Sequence, residues 1–397
     1  MNKYIKIKAL LLIVLVGSLV SSIQAQQQIG RNAVIQQVTK LLRQDILNNA
    51  KQDLKARPIT VTAYICPRSA GGKHDFYSEG DYWWPNQLSP DSPYIRKDGL
   101  TNPDNFVAHR QAMIRFSQIV GSLTSAWLLT HKAVYLKKAM EHCKAWFVDT
   151  ATMMHPDLLY AQAIKGRVTG RGIGIIDAIQ LMEVAQGLYV MENATEMDQV
   201  ALRKIKDWFS SYLNWVTTHP YGIDEMNAAN NHGTCWVMQV ACFARFTGNK
   251  KLMDFCRDRY KNVLLPGQMA LDGSFPLEMA RTKPYGYSLF DLDAMATICQ
   301  ILSTPQDNLW TYETAKAASI KKGIVFMFPF IKDKSKWPLK PDVMYWKEWP
   351  VAGPGLVFGA EQLGQKKWLD TWSKLAHFPK VEEVIRNLPV RNPLIWL

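Results

Sequence analysis

The apolar residues of this chain recur at intervals of three and four through one segment after another, and that rhythm limits what it can fold into. Ile29–Leu54, Phe106–Thr130, Ala133–Phe147, Ile173–Tyr189, Gln199–Thr217, Thr234–Phe246, Lys250–Val263 and Leu289–Leu302 each place them on one helical face. The connections carry Pro, Gly, Asn and Asp, and most are short. Strand-like alternation is scarce, Ile59–Tyr64 being one brief candidate. Amphipathic helices joined by short turns pair antiparallel. The expectation is an all-α fold, an (α/α) toroid or incomplete helical barrel whose loops make a central cleft.

Two long loops interrupt the helices, 66–103 and 333–354, both rich in Trp and Pro. Structureless loops of this length within a compact domain are usually functional. No shift in composition marks a linker, so residues 26–397 read as one domain. An apolar share of 48% suffices for a sizeable core.

The N-terminus speaks to location. Met1–Lys8 holds three lysines and no acid, Ala9–Val20 is almost wholly apolar, and Ser21–Ala25 ends on a small residue. That is the order of a signal peptide over residues 1–25, with a mature chain from Gln26 that is secreted or periplasmic. The apolar run is short for a bilayer span, no later segment reads as one, and no cysteine stands at the cleavage point to take a lipid. The formal charge of +13 becomes +10 without Lys3, Lys6 and Lys8. Such an excess suits an acidic partner: DNA, anionic lipid or acidic polysaccharide. Six single cysteines lack the spacing of a disulfide scaffold or metal site, and Cys235 and Cys242 share a helical face, so buried free thiols are expected.

Two stretches could carry chemistry. In Asn230-Asn231-His232-Gly233-Thr234-Cys235-Trp236 an asparagine suits a helix N-cap. His232 then lies in the first turn, where the dipole favours a bound anion and a neutral imidazole. The plainer alternative is that the asparagines cap and His232 packs. In Glu278–Asp291, Ser288 and Asp291 resemble a capping box, which would put Tyr287 just before a helix, six residues after Arg281. A nearby guanidinium favours phenolate, so Tyr287 could act as a base. Alternatively Tyr285 or Tyr287 is a hydrophobic staple and Arg281 pairs with Glu278. Arg167 and Arg171, in a Gly-rich loop, could clamp carboxylates. The Gly170-x-Gly172-x-Gly174 run has no strand before it, against a dinucleotide site. Trp83, Trp84 and Trp346 could stack on sugar rings.

Together these residues resemble the alginate lyase superfamily, in which Asn-Asn-His opens one helix and Arg, then Tyr-Ser-x-Phe, open another. Polysaccharide lyase families 5 and 38 are the nearest, and the spacings from His232 and Arg281 to Tyr287 fit family 38 better. Tyr82–Asn86 with Pro93–Gly99, and Leu159–Gln162 with Gly166–Asp177, are similar to two further segments of the superfamily. The likeness spans roughly residues 60 to 350. It implies β-elimination on a polyuronate, alginate first or glucuronan, with no cofactor, no metal and no nucleic-acid partner. It also implies that Asn231, His232 and Arg281 neutralise the C5 carboxylate while Tyr287 serves as base, acid or both, with His232 the natural base on guluronate. Trp83, Trp84, Gln162, Arg167, Arg171, Tyr285 and Trp346 are the substrate-binding candidates. Two rivals stand beside it. One is an (α/α)-toroid glycoside hydrolase using two of Asp75, Glu79, Asp81, Glu278 and Asp291. The other is a non-catalytic periplasmic protein that binds acidic polysaccharide.

Overall fold

The structure, a computed structural model, describes residues 30–89 and 91–397. The expected signal peptide lies outside the described residues. A first helix, α1, covers residues 30–53 and buries one stripe, Val34, Val38, Leu42, Ile46 and Ala50. The segment read as a possible strand, Ile59–Tyr64, is instead a 3-10 turn at Val61–Ala63, because the Thr60 hydroxyl caps it by accepting from Thr62 N.

The long loop that follows holds the only strands among the described residues before α2. These are β1 (Tyr77–Glu79), β2 (Trp83–Trp84) and β3 (Ile95–Arg96), β2 and β3 forming an antiparallel pair. Helices α2 (Ala108–Thr130) and α3 (Ala133–Phe147) come next, then β4 (Tyr160–Ala163), parallel to β1. A 3-10 segment, Gly172–Gln180, leads into α4 (Leu181–Met191). Then follow α5 (Gln199–Thr218), α6 (Pro220–Met226), α7 (Asn231–Thr247), α8 (Lys250–Arg259) with a π-turn, and two single turns, α9 (Leu265–Gln268) and α10 (Pro276–Met279). The chain ends with α11 (Pro284–Leu302), α12 (Ile320–Lys332), α13 (Pro354–Leu363), α14 (Lys366–Trp372) and α15 (Glu382–Arg386).

Helices α2, α4, α7, α11 and α13 pack one on the next and are buried nearly all round, so they form an inner ring. An outer layer covers them: α3 on α2, α5 and α8 on α7, α12 and α14 on α13. These outer helices show the one-sided burial that their spacing predicts; α5, for example, buries Leu202, Ile205, Phe209, Leu213 and Val216. Arg31 of α1 pairs with Glu361 of α13, and Asp53 at its other end with Arg115 of α2, so α1 runs back across the seam between first and last inner helices. The fold is the expected all-α toroid. One continuous apolar cluster extends from Val34 to Trp396, with Phe116 and Trp146 stacked at 4.8 Å inside it. Deleting such a buried ring costs about 3–5 kcal/mol.

The segment Gly172–Met191 is long and apolar enough by composition to cross a bilayer, but 83% of it is buried inside the fold, where it serves as core. Its first half is 3-10 rather than α, and in it Gly172 and Gly174 pass so close to Tyr221 and Ala161 that a side chain there would collide. All six cysteines are free and buried, as expected.

Candidate active site

The starts of α7 and α11 and the 3-10 segment that leads into α4 meet at a cavity of about 230 Å3. Its wall takes Tyr82 and Trp83 from the hairpin loop, Gln162 from β4, Arg171 and Ile173 from the 3-10 entrance, and Asn230, Asn231 and His232 from the start of α7. Arg281, Tyr287 and Phe290 come from α11 and the turn before it, Arg386 and Asn387 from α15. The guanidiniums of Arg96, Arg171, Arg281 and Arg386 line the cavity beside the Asp81 carboxylate; Arg96 and Arg281 share Asp98, and Arg386 meets both Asp81 and Glu383.

The start of α7 departs from expectation in one instructive respect. Asn230 is the N-cap residue, but its side chain makes no capping bond. Glu278 does that work from a distance: its Oε1 accepts from Asn231 N at 2.8 Å and its Oε2 from Asn231 Nδ2 at 2.7 Å. The positive helix end is thus already occupied by the protein's own carboxylate, and substrate must be held by side chains instead. Burial pushes the Glu278 carboxyl above its ordinary pKa, against the pull of the Asn231 bonds. Beside Asn231, the His232 ring turns its Nδ1 to Glu225 Oε1 at 2.7 Å.

The second stretch is also rearranged. Helix α11 begins at Pro284, five residues earlier than a Ser288–Asp291 capping box requires. Asp342, from the far loop, caps it by accepting from Tyr285 N at 2.9 Å and Gly286 N at 2.8 Å. Ser288 bonds back to Pro284 O, and Asp291 is fully buried, its carboxyl driven well above the ordinary range by desolvation and by Glu278. Tyr287 therefore sits in the first helical turn. Two residues along a helix turn a side chain by roughly 200°, so Tyr285 points the other way. It is 0% exposed, donates to Phe330 O at 3.0 Å and packs edge-on against Trp337 and Trp346. Tyr285 and Trp346 are core of the 333–354 loop, not part of the cavity wall.

Arg281 does not pair with Glu278. Its Nε and Nη2 bond to Asp98 at 3.3 and 3.1 Å, which spends two of its five N–H groups and leaves the rest. Its guanidinium lies 4.6 Å from the centre of the Tyr287 ring, and the Lys283 ammonium lies 5.2 Å from it. The Tyr287 hydroxyl meets that of Tyr82 at 2.6 Å. Burial raises the Tyr287 phenol well above its usual value and Tyr82 adds to this, outweighing Lys283 and Arg281, which lower it. The resting phenol is protonated: an acid at hand, contrary to the phenolate that a guanidinium neighbour alone suggests.

Trp83 faces the cavity with Arg167 and Arg171 over its ring at 5.0 and 5.9 Å. Trp84, next along the strand, points to the opposite side, donating to Leu100 O at 2.9 Å under Lys97. Arg167 lies in the neighbouring open basin, its Nε on Tyr94 O. Gln162 holds a left-handed backbone, φ 48°, and its side chain accepts from Arg171 at 3.1 Å. Of the candidates read from sequence, the cavity thus gathers Asn231, His232, Arg281, Tyr287, Trp83, Gln162 and Arg171. It leaves out Trp84, Arg167, Tyr285 and Trp346.

Sequence reading missed Tyr82, Arg96, Asp98, Glu225, Lys283, Arg386 and Asn387. Tyr82, Arg96, Asp98 and Lys283 sit within the stretches singled out, next to residues that were chosen. Arg386 and Asn387 carry no signal, since only the docking of α15 brings them in. Beneath the cavity, Asp81 pairs with Arg110 at 2.7 Å and Arg386 at 2.6 Å, and Lys283 with Glu383 at 2.6 Å. The two arginines and Lys283 hold the Asp81 carboxyl down at about 2 despite its burial. The other acids of a hydrolase pair are also engaged or sealed off: Glu79 by Arg68, Asp75 by His155, Glu278 by Asn231, and Asp291 in the core. No two free carboxylates flank the cavity among the described residues.

The sequence profile of the alginate lyase family matches residues 60–337. No curated protein sequence matches the chain. Among solved structures, an alginate lyase from Bacteroides ovatus is 28% identical, with a TM-score of 0.77 over 92% of this chain and 97% of that one. Alginate lyase A1-III in complex with a tetrasaccharide is 15% identical, with a TM-score of 0.58 over 89% and 94%. The A1-III enzyme of Sphingomonas species A1 is 17% identical, with a TM-score of 0.52 over 82% and 88%. At the two lower identities the likeness is one of fold. The profile covers most of the chain: this protein belongs to the alginate lyase family and is a polysaccharide lyase.

Proposed function

We propose that the chain cleaves alginate, or a closely related polyuronate, by β-elimination in the cavity between α7 and α11. The observation that carries this is the convergence of Asn231, His232, Arg281 and Tyr287 on one small cavity walled by guanidiniums. Removing the C5 proton of a uronate adds charge next to a carboxylate that already bears one. Arg281 and Asn231 are the donors suited to holding that carboxylate and its enolate-like successor. The protonated Tyr287 supplies a proton to the departing O4. On mannuronate the C5 proton and O4 lie on one side, so Tyr287 can serve twice once its hydroxyl proton has passed to water: the phenolate, supported by Arg281 and Lys283 over its ring, takes the C5 proton and then gives it to O4. On guluronate they lie on opposite faces, and His232 takes the proton.

Four guanidiniums in the wall, with N–H groups beyond those bonded to Asp98, Asp81 and Glu383, suit a polymer with a carboxylate on every sugar, and Trp83 offers an aromatic face. We also propose that residues 1–25 export the chain, on the order of their charges and apolar run. The test of the reaction is absorbance by 4,5-unsaturated products from polymannuronate, polyguluronate and glucuronan. Turnover without that chromophore would indicate hydrolysis; binding without turnover would indicate a carrier.

A further inference from the structure

We propose that Glu225 is a positioning residue that makes His232 a proton acceptor of fixed direction, and thereby sets the enzyme's competence at guluronate. The proposal rests on the β-elimination reading above. Glu225 lies in α6, 1% exposed, with its Oε1 2.7 Å from His232 Nδ1. An ionised carboxylate can only accept, so Nδ1 must carry the hydrogen and donate it. That leaves Nε2 as the ring nitrogen available to a substrate, and in the neutral ring it is a bare lone pair.

Two glycines permit this approach. A side chain at Gly222 would strike the backbone of Val216, so α6 is drawn tightly under the end of α5. One at Gly233 would strike Ala228 O, so the turn from α6 into α7 closes directly behind His232. The geometry that brings Glu225 to the imidazole is therefore built into the backbone. No lysine or arginine among the described residues is in ion-pair contact with Glu225, and its charge is available to the ring.

The consequence is chemical. With Nδ1–H held by Glu225, the C5 proton of guluronate passes to Nε2 and the C5–H electron pair becomes the C4=C5 bond. The C4–O4 bond breaks, and O4 takes the proton of the Tyr287 hydroxyl. The imidazolium left behind faces the Glu225 carboxylate, while the phenolate lies under Arg281 and Lys283; exchange with water restores both. Without Glu225 the ring is free to adopt the other tautomer. Its Nε2–H could then hold a carboxylate but could not accept the C5 proton. Mannuronate, served by Tyr287 on the opposite arrangement, depends on Glu225 far less.

The experiment compares Glu225→Ala and Glu225→Gln with wild type on polyguluronate and polymannuronate. Glu225→Ala should lower kcat on polyguluronate by about 100-fold or more, and on polymannuronate by less than about 10-fold, with KM little changed. Glu225→Gln keeps an acceptor for Nδ1–H without the charge, and should recover part of the guluronate rate. A 15N spectrum of histidine-labelled wild type, with His232 identified by its loss in His232→Gln, should show the Nδ1–H tautomer. That measurement needs no variant of Glu225 to fold and no turnover. An Nε2–H tautomer in wild type, or equal losses on both polymers in Glu225→Ala, would overturn the proposal. If wild type cleaves no polyuronate, the lyase reading fails on its own while the spectrum still decides the role of Glu225.

Discussion

At the cavity end of the ring, the N-termini of α7, α11 and α13 are met by the carboxylates of Glu278, Asp342 and Asp293, whereas at the far end the helix C-termini meet arginines. There Arg257 donates to Leu302 O from both Nε and Nη2, at 3.2 and 3.1 Å. Arg245, in the last turn of α7, lies over the rings of Tyr189 and Trp396. At each end side chains thus satisfy backbone groups that the helices leave unpaired. The far end also encloses a larger cavity, about 740 Å3, with Arg31 and Arg245 in its wall. Size and basic residues are therefore not what distinguishes the candidate site. The far cavity has a phenol in Tyr189 and amides in Gln186, Gln300, Asn308 and Gln362, but no imidazole among its lining residues to join them.

That contrast can be broken most directly at Tyr287. Tyr287→Phe keeps the ring under Arg281 and removes the exchanging proton, so kcat should fall by about 1,000-fold or more while KM changes little. Arg245→Ala, at the other end, should leave kcat within about twofold and act on stability alone. A comparable loss of turnover in both variants would mean the two ends are not functionally separate. Next in size, Arg281→Ala and Asn231→Ala should each lower kcat by about 100-fold, through lost support of the developing charge. Product absorbance under saturating polymer checks both.

Smaller effects sharpen the electrostatic half of the comparison. Because side chains rather than helix ends hold the carboxylate, KM should rise several-fold as salt increases from about 0.05 to 0.5 M. Arg245→Ala should show the same salt response as wild type; a KM indifferent to salt would dismiss the guanidinium wall as an attractor. The last effect is on stability. Burial raises the Asp293 carboxyl from 3.8 to about 7. For an acid so raised, the stability it contributes is fully present below pH 4 and is lost as pH climbs through 7. Asp293→Asn keeps an oxygen for Gly355 N, so it should flatten the pH dependence between about 4 and 7 and raise the Tm by a few degrees at pH 8. Thermal melts across that range would show whether the buried cap is a neutral acid at the pH where it works best.

The inner and outer helices were legible wherever burial follows the helical period without interruption. Ala133–Phe147 matches to the residue, and Gln199–Thr217 to within one. Helices α12 and α13 were not legible, because Pro329 lies inside the first and Pro354, Gly355 and Gly359 thin the apolar pattern of the second. At the cavity, residues on local motifs could be found, since Asn231, His232 and Tyr287 all lie in first turns. Their partners could not. Glu278, Asp342 and Asp98 act across 47 or more residues, and a long-range carboxylate cap leaves no spacing to read. The same blindness explains Tyr285: with the start of α11 set five residues too late, nothing distinguished the tyrosine that faces the cavity from the one that faces the core.

The docking of α15 bears on the order in which a growing chain becomes an enzyme. Asp81, early in the sequence, and Lys283, much later, both find their counter-charges in a helix of five residues, through Arg386 and Glu383. Before that helix emerges from the ribosome, Arg110 alone faces Asp81 and Asp177, and Lys283 has no acid beneath Tyr82 and Tyr287. The ring of helices can form from the contacts already made, but the floor of the cavity must wait for α15. Nascent chains stopped before residue 382 should accordingly be helical and inert, and catalytic competence should arrive all at once when α15 docks.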